Sequence, residues 1–401
     1  MNSRQNGTHW LPTAPPWPVV PGGALFRNRS ENSSITDVHL TPSQSHGVIP
    51  QSDYMRLTGS RVVLNLTGAN KMKHVEPGDF IIHLRSFQGG LELSPIGGKV
   101  SNAYTVLQPS RLVHSPFFAY MFKSSTFIAG LASLTDQLRD GQNITHAKFA
   151  LLRLPLPDLP TQRRIADYLD RETAQIDAMA GALDGLVARL EERRRAVIDN
   201  QFSEIFDATR TPIWSILEPK RRLNYPSEEV LSVYRDLGVV PKSSRDDNHN
   251  VTPQDVSVYQ LVNRGDVVVN KMKAWQGSVS VSNFRGIVSS DYQVAAPTVP
   301  INSRYLHHAL RTSNMIRLYG NRSTGVRPSQ WRLYWQDFSA LSIPLPPLDE
   351  QRRIADHLDA ETAKIDAMIA KAGELRALLD ERRNALITAT VTGQHPVPEE
   401  P

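Results

Sequence analysis

The chain has 401 residues and no cysteine. Disulfides, cysteine–zinc sites and a thiol nucleophile are thereby excluded, and the composition fits a reducing cytoplasm. The N-terminus has no apolar core of a signal peptide, and no run approaches the ~18 apolar residues of a membrane helix, so neither secretion nor a span is expected. Triplets such as Asn65-Leu-Thr67 then carry no glycosylation meaning. Catalytic signatures are missing as well. There is no Gly-x-x-x-x-Gly-Lys-Ser/Thr phosphate loop, no Gly-x-Gly-x-x-Gly, no His-Glu-x-x-His and no Asn-Pro-Pro-Phe/Tyr. His307 and His308 are adjacent, so on a helix they point to different faces, which is poor metal geometry. Glu218-Pro-Lys220 has no acidic partner in a convincing preceding strand. The sequence therefore offers no catalysis by this chain alone.

What is present is unremarkable in bulk: 40% hydrophobic and 21% charged residues, enough for a sizeable core in two to three domains. The net charge of +5 permits nucleic-acid binding without demonstrating it.

The informative feature is a long internal repeat. Leu154-Pro-Leu-Pro-Asp-Leu-Pro-Thr-Gln-Arg-Arg-Ile-Ala-Asp-Tyr-Leu-Asp170 returns as Ile343-Pro-Leu-Pro-Pro-Leu-Asp-Glu-Gln-Arg-Arg-Ile-Ala-Asp-His-Leu-Asp359. The match continues without a gap through Ile176-Asp-Ala-Met179 and Ile365-Asp-Ala-Met368, and is still legible at Glu192-Arg-Arg194 and Glu381-Arg-Arg383. The protein is two copies of one half.

Each copy opens with prolines and then turns helical, with starts expected near Leu159 and Leu348. Apolar residues recur every seven positions: Leu169, Ile176, Leu183, Leu190, Val197, then Leu358, Ile365, Ala372, Leu379, Leu386. Ile165, Met179, Leu186 and Ile354, Met368, Leu375 interleave with them. This is the narrow seam of a coiled coil, on helices of about 40 residues and roughly 60 Å. Glu172/Glu361 and Arg193/Arg382 fall on the same seam. Antiparallel pairing would bring Glu172 near Arg382 and Arg193 near Glu361, fixing register, unless the long side chains merely reach out to solvent.

Between these stretches lie two globular regions with a shared framework. Gly47-Val-Ile-Pro50 is echoed by Gly238-Val-Val-Pro241, and Gly78-Asp-Phe-Ile-Ile82 by Gly265-Asp-Val-Val-Val269, both read as buried strands. Phe87-Gln-Gly89 matches Trp275-Gln-Gly277, and Val100-Ser-Asn-Ala-Tyr104 matches Val288-Ser-Ser-Asp-Tyr292. Tyr120 and His308 take matching positions on expected helices, and Phe149 and Phe338 close each region. The polar loop residues differ. The first region offers Lys71, Lys73, Arg85, Gln88, Arg139, Gln142 and Asn143; the second offers Lys271, Lys273, Trp275, Gln276, Arg322, Arg327, Gln330 and Arg332. Similar scaffolds with unlike loops point to two similar targets that differ in detail. Trp331 and Trp335 are read as framework.

The doubled Leu-Pro-Leu-Pro/Ile-Pro-Leu-Pro cluster, the Gln-Arg-Arg-Ile-Ala-Asp after it, Gly-Asp-Val-Val-Val, Tyr-x-Val and the final Ala389-Thr-Val-Thr-Gly-Gln394 resemble the shared regions of the specificity (S) subunits of type I restriction–modification systems. The resemblance covers nearly the whole chain. It departs at Pro160-Thr161, where the second copy has Asp349-Glu350.

The resemblance implies an α+β fold: two mixed α/β target-recognition domains separated by two long antiparallel helices, with a pseudo-twofold between the halves. The expected bounds are 1–153 and 204–342 for the recognition domains, 154–203 and 343–394 for the helical regions, and 395–401 for a tail. It further implies a monomeric, non-catalytic subunit that reads a split site on double-stranded DNA. Two modification subunits carrying S-adenosylmethionine and restriction subunits using ATP and Mg would be its partners. The loop residues named above, apart from Trp275, become the DNA-contacting candidates. Lys271 and Lys273 are expected on one face of an extended run, and Arg327-Pro-Ser-Gln-Trp-Arg332 in a loop before a final strand. The alternatives are a helical scaffold without DNA recognition, a degenerate S subunit without a restriction partner, and a lone nuclease or methyltransferase, against which the missing motifs argue.

Overall fold

A computed structural model describes the chain apart from residues 1–9, 12–13, 61–71, 134–143, 204, 206–209, 236, 245–251, 328–329 and 399–401. The fold is α+β, and it divides into two compact units: Met1–Ala182 with Glu374–Pro401, and Leu183–Gly373.

In the first unit a four-stranded antiparallel sheet runs in the order Phe26–Asn28, Thr105–Pro109, Phe80–Ile82, Glu92–Leu93. The second unit repeats it as Leu217–Lys220, Tyr292–Pro297, Val267–Asn270, Val279–Val281. The central strands read as continuous apolar runs because both faces are covered. Phe80 and Ile82 face one core cluster and Ile81 another. Val267 and Val269 face one and Val268 another. A strand buried on both sides loses the polar alternation of a half-exposed one.

The repeated Gly-Asp before each central strand has a physical reason. Gly78 and Gly265 adopt φ of 95° and 89°, which side chains disfavour. The following aspartate then accepts from the backbone three residues earlier, Glu76 N–H at 2.9 Å and Asn263 N–H at 2.8 Å. It also takes an arginine: Arg29 Nε lies 2.6 Å from Asp79 and Arg222 Nη1 2.6 Å from Asp266.

The cores themselves differ. Phe26 packs edge-on or tilted against Phe80, Phe118, Phe122 and Phe149, with ring centroids from 5.2 to 5.7 Å. The second unit instead sets valines of its sheet against Tyr305, Tyr319 and Phe338. A short antiparallel pair closes each region on its proline cluster, Val19–Pro21 with Arg153–Pro155 and Arg210–Pro212 with Ser342–Pro344.

The long helices span Leu159–Ser203 (45 residues) and Leu348–Val391 (44 residues). Their starts are where the prolines put them. The Pro160-Thr161 departure does not shift the first, because Asp158 accepts from the Thr161 N–H at 2.9 Å and caps the helix. Repeated glutamines fasten the starts. Gln162 Oε1 accepts from the His114 N–H at 2.7 Å and Gln351 Oε1 from the Asn302 N–H at 2.9 Å. Each amide also donates into its proline cluster, to Pro157 O and Pro346 O at 2.8 Å.

The seam needs a correction. The seven-residue series through Leu169, Ile176 and Leu190, and through Leu358, Ile365 and Ala372, is buried as expected. The interleaving series is buried only at its first members, Ile165 and Ile354; Met179, Leu186, Met368 and Leu375 are 53%, 43%, 56% and 43% exposed. The buried positions are one residue further on, at Thr173, Ala180 and Thr362. A heptad leaves a choice between a step of three and a step of four after each Leu or Ile. Here the step of four brings small residues inward. The Thr173 and Thr362 hydroxyls bond the carbonyls of Leu169 and Leu358 at 2.7 Å, so burial leaves no polar group unpaired.

Arg193 and Arg382 are consequently exposed rather than in the seam, with Glu172 and Glu361 half-buried. Glu361 is held below the ordinary carboxylate range first by its hydrogen bond from Lys364, with Arg193 a minor contribution. The direct ion pairs belong to the next arginines. In the first unit Arg383 Nε lies 3.0 Å from Asp177; in the second Arg194 Nε lies 2.8 Å from Asp366. With Tyr168 against His395 at 3.1 Å, the helix segments of the first unit run antiparallel. In the second, Ile198 and Phe202 share a core with Ile354 and Leu358 and give the same direction.

Candidate nucleic-acid interface

The sheet of the second unit positions a basic surface. Strand Val267–Asn270 ends in a tight turn rather than continuing, so Lys271 and Lys273 do not alternate along an extended run. Asn270 Oδ1 accepts from the Met272 N–H at 3.1 Å, and the Lys273 N–H returns to the Asn270 carbonyl at 3.1 Å. A single 3-10 turn, Ala274–Gln276, follows and stops at Gly277, φ 97°. A Cβ there would lie 2.9 Å from Ile316, so helix Ser313–Arg322 packs directly on this turn. Lys273 and Gln276 are left exposed.

The Lys271 ammonium donates to Ser290 O at 2.7 Å. Burial lowers its pKa most; Arg332 adds to this and Asp291 opposes it. The Lys271 carbonyl accepts from the Leu333 N–H at 2.9 Å, which ties the turn to the loop carrying the remaining candidates. That loop is pinched by paired backbone bonds between Thr324 and Arg332, at 3.0 and 2.9 Å. The Trp331 ring meets Trp275 with centroids 5.5 Å apart, and Trp335 packs on the core, so both tryptophans are framework. Arg327 and Gln330 are exposed on the loop, and Arg322 is exposed at the end of its helix rather than in a loop. Arg332 is half-buried, its Nη1 3.5 Å from Asp291. A short helix, Trp335–Ser339, stands between this loop and the final strand Ser342–Pro344. The structure thus gathers Lys271 and Arg332 around Asp291, and holds Gln276 and the 324–332 loop to the same framework through the paired tryptophans.

The first unit repeats part of this arrangement. Arg85 caps a short helix, Ser86–Gly89, with φ −115° and ψ 16°, where Lys273 has −125° and 9°. Gln88 then corresponds to Gln276, and Arg85 and Gln88 are exposed like their counterparts. Gln88 lies on the helix rather than in a loop. Lys73 is on strand Lys73–Val75, and its ammonium is turned inward to the Tyr104 carbonyl, where burial pulls its pKa down. Gln260 makes the equivalent bond to Tyr292 O at 2.8 Å in the second unit, so Lys73 occupies a framework position. Lys71, Arg139, Gln142 and Asn143 lie outside the described residues.

Two features are not evident from the sequence motifs alone. Asp291 sits among the cations of the second unit, and its matching residue in the Val-Ser-x-x-Tyr segment is Ala103; that difference was the available signal. The helix anchoring was signalled by the pairing of Tyr120 with His308. Tyr120 Oη donates to Asp170 at 2.6 Å, and His308 Nε2 lies 2.8 Å from Asp359. Among the described residues, no group of His, Asp and Glu could hold a metal ion. No described helix is long and apolar enough to cross a membrane.

Comparison with known proteins agrees with this geometry. Residues 232–375 match the type I restriction modification DNA specificity domain. A 126-residue stretch is 31% identical to the type I restriction enzyme EcoKI specificity subunit of Escherichia coli K12, covering 30% of this chain and 26% of that one. A 92-residue stretch is 32% identical to the StySPI specificity subunit of Salmonella potsdam, covering 23% of this chain and 20% of that one. The matched stretches thus span about a quarter or less of those relatives. Two solved structures share the fold over far more. A chain from work on complex assembly and conformational transition of the type I R-M system superposes with a TM-score of 0.66 at 17% identity, over 96% of this chain and 100% of that one. The HsdS subunit from Thermoanaerobacter tengcongensis superposes with a TM-score of 0.52 at 18% identity, over 97% of this chain and 100% of that one. Over residues 232–375 the chain thus carries a type I restriction modification DNA specificity domain, and it is similar in part of its sequence, and in fold over nearly its whole length, to specificity subunits of type I restriction–modification systems.

Proposed function

We propose that this chain is the DNA-recognition subunit of a type I restriction–modification complex and reads a split, bipartite site, one half-site per recognition domain. The domains are residues 1–153 and 204–342. The observation that carries the reading is the doubled scaffold with unlike polar surfaces: Arg85 and Gln88 on one copy, Lys271, Lys273, Gln276, Arg322, Arg327, Gln330 and Arg332 on the other. Lysines and arginines facing phosphates supply affinity with salt dependence, while arginine and glutamine at base edges supply sequence choice. The long helices act as a spacer that sets half-site separation, with Arg194–Asp366 and Arg383–Asp177 fixing their register beside Glu172, Arg193, Glu361 and Arg382.

The chain performs no chemistry and holds no cofactor. Modification subunits with S-adenosylmethionine dock on the helices and methylate adenine after it leaves the stack, and ATP- and Mg-dependent restriction subunits complete the assembly.

The test is methylome sequencing of a methylation-free host that expresses the chain with the modification subunit encoded beside it. The expected result is one split motif with modified adenines in two unlike half-sites at a fixed gap. A contiguous motif would overturn the spacer role. A folded complex that leaves the DNA unmethylated would demote the chain to a scaffold.

A further inference from the structure

The turn before the last strand of each sheet is built twice. Tyr104 N–H donates to Ser101 O at 3.0 Å, and Tyr292 N–H to Ser289 O at 3.1 Å. Each tyrosine carbonyl accepts a side chain from the neighbouring strand, Lys73 or Gln260. Residues that hold this scaffold are repeated: Asp79 and Asp266, Gln162 and Gln351, Thr173 and Thr362. The residue before the tyrosine is not. It is Ala103 in the first unit and Asp291 in the second. The turn forms equally well with alanine, so the carboxylate is not there to hold it.

The surroundings of Asp291 point to a use. Lys271 N–H donates to its carbonyl at 3.1 Å. Its carboxylate meets Arg332 through a single contact of 3.5 Å, with the two side chains 51% and 39% exposed. The framework pair Arg29–Asp79 is of another kind: two bonds, 2.6 and 3.1 Å, both side chains buried. A part-exposed, one-point pair contributes little to stability, and it engages only one guanidinium nitrogen and one carboxylate oxygen, so neither group is saturated by the other. Side by side, these groups present donors and then an acceptor. The major-groove edge of a guanine–cytosine pair presents the complement, N7 and O6 as acceptors and then the cytosine N4 amine as donor.

We infer that Arg332 and Asp291 together read one guanine–cytosine pair in the second half-site, with Arg332 on guanine and Asp291 accepting from cytosine N4. The carboxylate also repels phosphates and acceptor-only edges. It therefore gives up general affinity for DNA and gains discrimination. This inference rests on the DNA-recognition reading above.

The test is selection from randomised duplexes by the complex of the full chain with its modification subunit, comparing the parent with Asp291→Asn, Asp291→Ala and Arg332→Ala. Asp291→Asn keeps the shape and removes the charge. The expected result is a split parent motif with a guanine–cytosine pair in one half. Both Asp291 variants lose discrimination at that pair alone, by roughly 10-fold or more. They bind random duplex at least as tightly as the parent, and Arg332→Ala relaxes the same pair. An unchanged motif in both Asp291 variants overturns the inference, as does equal loosening of both half-sites, which marks a framework residue. A parent complex that selects no split motif removes the recognition reading itself, and this inference with it.

Discussion

Individual residues here divide into those that repeat because the scaffold needs them and those that do not. Gln162 and Gln351 stand in the most legible motif of the sequence, yet each is almost fully buried, and each satisfies a backbone N–H and a carbonyl at a helix start. Their repetition reflects the cost of an unpaired buried amide, about 1–3 kcal/mol. His307 is a different case. Its Nδ1 lies 3.0 Å from the Ser280 hydroxyl, and burial pushes its pKa from 6.5 down to about 3, with Arg311 and His308 adding to the shift. Burial lowers His308 too. A base whose folded pKa is depressed contributes stability that is complete above the unfolded value and is lost as pH falls. Denaturant unfolding of the full chain should therefore weaken from about pH 6.5 downward, by up to ~1.4 kcal/mol per pH unit for His307 alone. His307→Asn should flatten that slope. Equal stability at pH 7 and pH 5 would show that the imidazole is not kept neutral by the fold.

At the scale of elements, the helices were legible in length, start and period, and the seam was legible only by half. The seven-residue series tells which face is inward to within one neighbour. Whether the second row falls three or four residues on depends on the helix opposite, and the sequence of one helix does not contain that information. Beyond Ile165 and Ile354 the large Met and Leu side chains mark the outer row, because close packing of the small residues Thr173, Ala180 and Thr362 decides which row faces inward. The same shift moved the ion pairs from Arg193 and Arg382 to Arg194 and Arg383. A double-mutant cycle on Arg194 and Asp366 should give a coupling of about 0.2–1 kcal/mol that falls with salt, with a matching value for Arg383 and Asp177. Unequal couplings, or a coupling indifferent to salt, would show that packing rather than charge fixes the register.

The whole molecule is two units on one plan, and modularity is the property that plan should confer. Exchanging residues 204–342 for the corresponding region of a relative with another site should change one half of the methylation motif and leave the other half and the gap intact. Sequencing the methylated adenines in cells carrying the exchanged chain checks this. A change in both halves would mean that recognition is shared between the domains.

The sequence alone determined the repeat, the strand–helix order, the two long helices and the absence of catalytic motifs. Each of these is a local or periodic property, set by proline geometry, apolar spacing and turn glycines. The tertiary structure decided which polar groups can reach a ligand. Lys73 and Lys271 read alike as loop cations. One is spent on the Tyr104 carbonyl in place of Gln260, and the other is drawn to Ser290 beside Asp291 and Arg332. That distinction follows from contacts between residues far apart in the chain, where a neighbouring carbonyl or carboxylate determines whether a charge is available to a ligand.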